Sequence, residues 1–440
     1  MMTPLFPDFP TEEAAAESGL ESLSPPRLLK ANRSQLFLRP TSLEDSLPPD
    51  HLARTVWELV ADVDLSGLLA HVRAVEGHRG HPAIDPRLLL AVWAYGLSQG
   101  VGSARALDRL CTEHDAYRWL LGGVTVNYHT LSDFRGQHAD ALEALFTDIL
   151  AALEFDGLVT LDRVAQDGMR VRASAGAASF RREATLQQCL TDAQAHVRKL
   201  ATQLDAPDTA PSPRQRKAAE RAARERLQRV RKALAELPKI RTAQKVKDPD
   251  NGRASMTDPE ARVMKMGDAG FRPAFNVQFA TDCASQLIVG VDVVNTGSDR
   301  AQLLPMLDQL ERRFHRRPGV MLVDGGFASH LAVEQTDQLG IPLYAPVEQS
   351  KIRGLDRYTP RADDSPAVAR WRQRMATPEA HDIYKDRAAT AECVNALARL
   401  RGLRCFLLRG LQKVRCFTLL VAIVHNLLRT HSLRLSHAPA

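Results

Sequence analysis

At 440 residues the chain has room for two or three domains and at least one sizeable core, which excludes a peptide scaffold. Hydrophobic residues at 44% and charged residues at 25% are ordinary for a globular protein and exclude wholesale disorder. Lys+Arg exceed Asp+Glu by 58 to 52, a net charge of +6 that favours polyanions only if the excess gathers on one surface.

The six cysteines (Cys111, Cys189, Cys283, Cys393, Cys405 and Cys416) form no CxxC pair, which argues against a zinc module and a disulfide framework. Residues 1–20 lack the basic start and apolar run of a signal peptide, and later apolar stretches are too short or too charged to span a bilayer. The expected location is the cytoplasm, with no membrane partner.

Residues 1–49, rich in Pro, Ser and acidic side chains, read as a disordered or loosely docked arm. Over 50–156 the pattern is helical: DPRLLLAVWAYGLSQG has Asp85 as N-cap and Pro86 at N1, Ser103 precedes a second helix, and Thr130 or Ser132 opens a third. Trp57, Leu89, Trp93, Leu107, Leu110, Trp119 and Leu145 read as its core, leaving Arg105, Arg109 and Arg118 as phosphate candidates if exposed.

After Gly157 the period changes, and LVTLDRVAQD reads as a strand ending on Asp167, so the domain boundary is placed there. Residues 181–250 form a charged, helix-prone insertion broken by DAPDTAPSP, an expected αα-hairpin. Its second half holds 13 Lys/Arg between Arg214 and Lys247 against Glu220, Glu225 and Glu236. Such a face is either simply solvated or follows a DNA backbone, since phosphate contacts need cations on one side but no fixed spacing.

FRPAFNVQFATD and QLIVGVDVVN read as a hairpin, followed by helix DRAQLLPMLDQLERRF, strand GVMLVDGGF, helix HLAVEQTDQLG and strand IPLYAPV. Residues 351–377 read as a loop or small insert, then one helix carries Glu392, another closes the domain near 430, and 431–440 read as a tail. The expected fold class is α+β: an all-helical N-terminal domain, then a mixed sheet flanked by helices over 157–430.

Phosphodiester cleavage needs an activated water or hydroxyl and a stabilised leaving oxygen, a task suited to hard divalent ions bridged by carboxylates. Spacing alone does not single out three among 52 acidic residues; the local context does. HPAIDPRLLLAVWAYGLSQG, NYHTLSDFR, AQDGMRVRASA, RASMTDPEARVMKMGDAGFRPAFNVQFATD, DVVNTGSDRAQLLPML, VDGGF and YKDRAATAECVNALARLRGL occur in order across 81–426. Together they resemble the insertion-sequence transposases of the DDE superfamily, in the subgroup whose catalytic domain follows a helical N-terminal domain.

That resemblance implies a ribonuclease-H-like fold with Asp167, Asp324 and Glu392 as the catalytic and metal-holding triad. It also implies Mg2+ as cofactor, with Mn2+ as a substitute. Tyr384 and Arg387 correspond to the family's DNA-end contacts, and Arg399 stands where the family usually has a Lys. Arg170, Arg172 and Lys265 complete the expected phosphate-binding set. Glu348 and Asp382 are fallback ligands, and Asn276 and Gln278 either orient the metal site or serve as sheet hydrogen-bonding groups.

The implied partners are double-stranded DNA, as element ends and target, and at least a second copy of the chain, since two ends must be cut. The rival readings are a catalytically inactive relic or regulator that still binds DNA, and a scaffold built on the charged helices. No HExxH pair and no Gly-rich phosphate loop supports a zinc enzyme or ATP dependence, and His81, His129 and His425 read as core or surface groups.

Overall fold

Short polar side chains open several of the helices by accepting from otherwise unpaired N–H groups. Asp85 accepts from Arg87 N at 2.8 Å and Ser103 from Ala106 N at 3.4 Å, the caps expected from the sequence. The third cap is Asn127 rather than Thr130 or Ser132: its Oδ1 accepts from both His129 and Thr130 N–H groups, at 2.9 and 3.0 Å.

The structure, a computed structural model, describes residues 42–72, 74, 81–202, 212–244, 251–349 and 356–437. Most of the N-terminal arm and the break within the charged insertion therefore lie outside the described residues. The first helices are α1 (Leu52–Ala61), α2 (Ser66–Leu69), α3 (Pro86–Ser98), α4 (Ala104–Glu113), α5 (Asp115–Leu121), α6 (Tyr128–Gln137) and α7 (Ala139–Phe155). Leu89, Trp93, Leu107 and Leu145 are buried among them; Trp57, Leu110 and Trp119 are half-buried.

The sheet contains β1 (Arg163–Arg172), β4 (Arg262–Lys265), β5 (Phe271–Asp282), β6 (Ile288–Val294), β7 (Val320–Val323) and β8 (Leu343–Tyr344). Its order is β4-β5-β1-β7-β8, with β6 also on β5. β4 and β6 share one edge of β5 end to end, at Phe271 to Ala274 and Asn276 to Thr281, while β1 takes the other edge antiparallel. β7 and β8 continue parallel to β1. This mixed α+β arrangement is ribonuclease-H-like, as expected; β4, inside RVMKMGDAG, is a strand the sequence reading missed.

The short pair β2 (Phe180–Arg181) and β3 (Ala254–Ser255) roots helices α8 (Glu183–Thr202) and α9 (Pro213–Gln244). Leu186, Ala233, Leu237, Ile240 and Ala254 give them a separate small core. Several α9 cations are already paired, Lys232 with Glu260 at 2.8 Å and Arg241 with Glu183 at 2.7 Å among them.

The remaining helices are α10 (Leu303–Phe314), α11 (His330–Gln338), α12 (Pro366–Met375), α13 (Pro378–Arg387), α14 (Cys393–Leu400) and α15 (Leu411–His437). α12 lies within the stretch read as a loop or small insert; Ser365 caps it, Pro366 occupies its first turn, and the buried Arg372–Asp364 pair at 2.7 Å anchors it. α15 runs through to His437, so residues 431–437 are helical rather than a tail. By length and composition α15 could cross a membrane, but 72% of its apolar window is buried inside the protein, the condition of a core helix.

A single hydrophobic cluster runs from Leu47 through Trp93, Phe146, Val164 and Phe279 to Leu427. Gly157, with φ 73°, thus marks a turn in the chain and not a break in packing. Arg313 of α10 reinforces the join, pairing with Glu143 and lying 4.8 Å over the Phe146 ring of α7.

Candidate active site

Strand register brings the two aspartates together. β7 pairs with β1 only as far as Val323 opposite Gln166, so the next residues, Asp324 and Asp167, lie beside each other where the parallel pairing stops. Asp167 is in mid-strand, not at a strand end as expected, because the long β5 keeps pairing β1 out to Arg172 opposite Ala274. Asp324 does end its strand, and its Oδ1 accepts from Gly326 N at 2.7 Å in the turn that follows.

The third element crosses above them. α13 and α14 are joined by a π-helical turn, Ala388–Glu392. Residues five apart point well away from each other on an α-helix, whereas a turn closed by i→i+5 hydrogen bonds stacks them on one side. The π turn thus puts Arg387 and Glu392 on the same face, with Asn395 one α-turn further along it.

From that face Arg387 reaches Asp167 Oδ1 at 3.3 Å and Glu392 Oε1 at 3.5 Å, a guanidinium between two carboxylates. Asn395 Nδ2 donates to Asp167 Oδ2 at 2.9 Å, and Gly168 N donates to Asp167 Oδ1 at 2.9 Å. Tyr384, half-buried, stands within the field of Arg387, Asp324 and Asp167.

Burial raises the Asp167 carboxyl above its ordinary range, and the negative Asp324 adds to the rise; Arg387 and the Gly168 N–H oppose it. Burial likewise raises the Tyr384 hydroxyl, with Arg387 opposing and both aspartates adding. Glu392 is 65% exposed at the rim, held by Arg387. Among the described residues, no group of three or more His, Cys, Asp or Glu stands close enough to hold a metal ion. Asp167 and Asp324 are brought together, and Glu392 joins them through Arg387.

The opposite face of β1 holds a carboxylate the sequence reading missed. Asp299, in the loop before α10, is buried and accepts from Asn276 Nδ2, Gln278 Nε2 and Arg170 Nη2, each at 2.7 Å. Asn276 and Gln278 therefore act on Asp299. A Cβ at position 168 would collide with the Asp299 carboxylate and the Gln278 amide, so Gly168 is what lets the loop approach the strand. The signal was present: Arg170, Gln278 and Asn276 alternate on one side of paired strands, and DVVNTGSDRAQ supplies the acid. Asn395 was missed too, although it lies three residues after Glu392 on a helical face.

Of the expected phosphate contacts, Arg172, Lys265 and Arg399 are exposed. Arg170 is half-buried and donates to Asp299 Oδ2 and Gly297 O, since a buried carboxylate demands a cation. The fallback Glu348 is exposed in a cleft of about 460 Å³ with Arg300, His330 and Arg361, and Asp382 is exposed and paired with Lys385 at 2.6 Å. In the helical region Arg105 lies over Tyr128, while Arg109 and Arg118 pair with Glu113 and Asp115. His425 is buried, with Nε2 bonded to Gln286 O at 2.9 Å.

Two family comparisons agree with this arrangement. Residues 41–137 match a transposase domain, and residues 241–427 match a transposase DDE domain. The matches follow each other in order and together span more than half of the chain. The chain belongs to the DDE transposases. The DDE match in this transposase covers Asp324 and Glu392 and begins after Asp167. No curated protein and no solved structure matches the transposase.

Proposed function

We propose that this transposase cuts DNA at the ends of an insertion-sequence element and joins the freed 3′ ends to target DNA, with Asp167, Asp324 and Glu392 holding divalent metal. The observation that carries the reading is the pair of adjacent aspartates with the guanidinium of Arg387 bridging Asp167 to Glu392. Neighbouring carboxylates that repel each other and draw in a cation are a donor set suited to a hard ion such as Mg2+, with Mn2+ as a substitute. Once Arg387 yields, rotation of the exposed Glu392 side chain would add the third oxygen ligand.

A divalent ion bound there supplies Lewis acidity and lowers the pKa of an attacking water or hydroxyl. The chain's own side chains do the rest. Asp167 and Asp324 are held in place by the sheet, Arg387 and Tyr384 face the strand end where a phosphate would lie, and the apolar core beneath Asp167 excludes bulk water. Arg172, Lys265 and Arg399 offer exposed cations to the DNA backbone. Cutting two element ends calls for at least two copies of the chain on DNA.

The test is nicking of a plasmid carrying the gene and its flanks, in Mg2+ and in EDTA, by wild type and by Asp167→Ala, Asp324→Ala and Glu392→Ala. Metal-dependent cuts at the flanks, lost in all three variants, are expected. Binding without cutting, or variants as active as wild type, would instead make the chain an inactive DNA-binding relative.

A further inference from the structure

Resting on that reading, we propose that Asn395 is a positioning residue of the carboxylate site: it fixes one oxygen of Asp167 and leaves its own Oδ1 as a neutral acceptor for the hydration shell of a divalent ion.

An ionised carboxylate only accepts hydrogen bonds, so the amide atom facing Asp167 Oδ2 at 2.9 Å must be Nδ2. The amide orientation is thereby settled, and Oδ1 points elsewhere. Asn395 is 5% exposed, and its Oδ1 is buried with no hydrogen-bond partner among the described residues. Arg387 Nε, on the same helical face, is likewise buried and without a partner among the described residues. A buried polar group normally finds a hydrogen bond, and two that do not, flanking one carboxylate, mark a network with capacity for a further ligand.

Asn395 and Gly168 N hold one oxygen of Asp167 each, which sets the carboxylate plane relative to Asp324. The π turn makes this work from a single helix, since it brings Arg387, Glu392 and Asn395 onto one side. In the DNA-free chain the guanidinium stands as the counter-cation. Asn395 keeps Asp167 oriented when Arg387 leaves.

The experiment titrates Mn2+ into the full, DNA-free chain, reading free Mn2+ by electron paramagnetic resonance and the metal-induced rise in melting temperature against EDTA. Wild type should bind, Asp167→Ala should not, and Asn395→Leu, which keeps the side-chain volume, should bind about 10- to 100-fold more weakly. Its melting in EDTA should stay cooperative, and the Mn2+-induced rise should shrink, which a purely structural role would not produce. If Asn395→Leu fails to fold, Asn395→Ala carries the same comparison without added branching. Wild-type affinity in the Asn395 variant, with binding lost in Asp167→Ala, overturns the role of Asn395 alone. Absence of Mn2+ binding by wild type, or unchanged binding by Asp167→Ala, overturns both it and the carboxylate reading.

Discussion

The two faces of β1 each carry a carboxylate, and they are treated in opposite ways. Asp299 has 5% of its side chain exposed and is closed in by two amides and Arg170. Asp167 is 16% exposed, stands beside a second aspartate, and shares its cation with Glu392. A carboxylate whose acceptors are all met by fixed donors orders a loop. One that stands beside a like charge and shares its cation with a third carboxylate is the arrangement the proposed metal site calls for.

The sharpest way to break this comparison is to neutralise each acid. Asp167→Asn should lower strand cleavage by roughly 10³-fold, about 4 kcal/mol of transition-state stabilisation, while leaving the urea midpoint unchanged or raised, since it removes like-charge repulsion. Asp299→Asn should instead lower stability by about 3 kcal/mol, because Arg170 is left without its charged partner. Identical profiles for the two variants in urea melts and nicking assays would erase the distinction.

His425 extends the contrast to a buried base. Burial, helped by the nearby Arg401 and Arg429, lowers its pKa to about 4, against the hydrogen bond to Gln286. The folded value lies below the unfolded one, near 6.5, so this contribution to stability is complete above about pH 6.5 and is lost as pH falls toward 4. At about 1.4 kcal/mol per pH unit the loss reaches about 3 kcal/mol. Urea midpoints at pH 7 and pH 4.5 should reveal it, and His425→Gln should flatten it.

The smallest effect separates the two arginines. Arg399→Ala should reduce the slope of log binding constant against log salt by about one, as expected for the loss of one phosphate contact. Arg170→Ala should leave that slope unchanged, since its guanidinium is engaged with Asp299. Fluorescence anisotropy on a duplex carrying an element end, across a salt series, measures both.

How much of this was legible in the sequence differs by residue. Asp324 was placed correctly at a strand end, since GVMLVDGGF is a short apolar run stopped by a turn, and Asp85 and Ser103 announced their helices through local capping chemistry. Asp167 was found by its motif but given the wrong position in its strand, because how far β1 extends depends on β5, about a hundred residues away. Arg170 looked like any basic side chain until its long-range partner Asp299 was known.

Local interactions therefore determined the helical first third, the alternating strands, and the acids and bases at hand, because caps, periodicity and turn residues act within a few positions of themselves. The pairing of these groups was decided only by tertiary structure. Which carboxylate meets which cation, whether a helix takes one π turn, and which amide faces Asp167 all depend on sheet register and helix packing. Charge–charge and buried hydrogen-bond energies depend on distances of a few ångströms between segments that are remote in the chain.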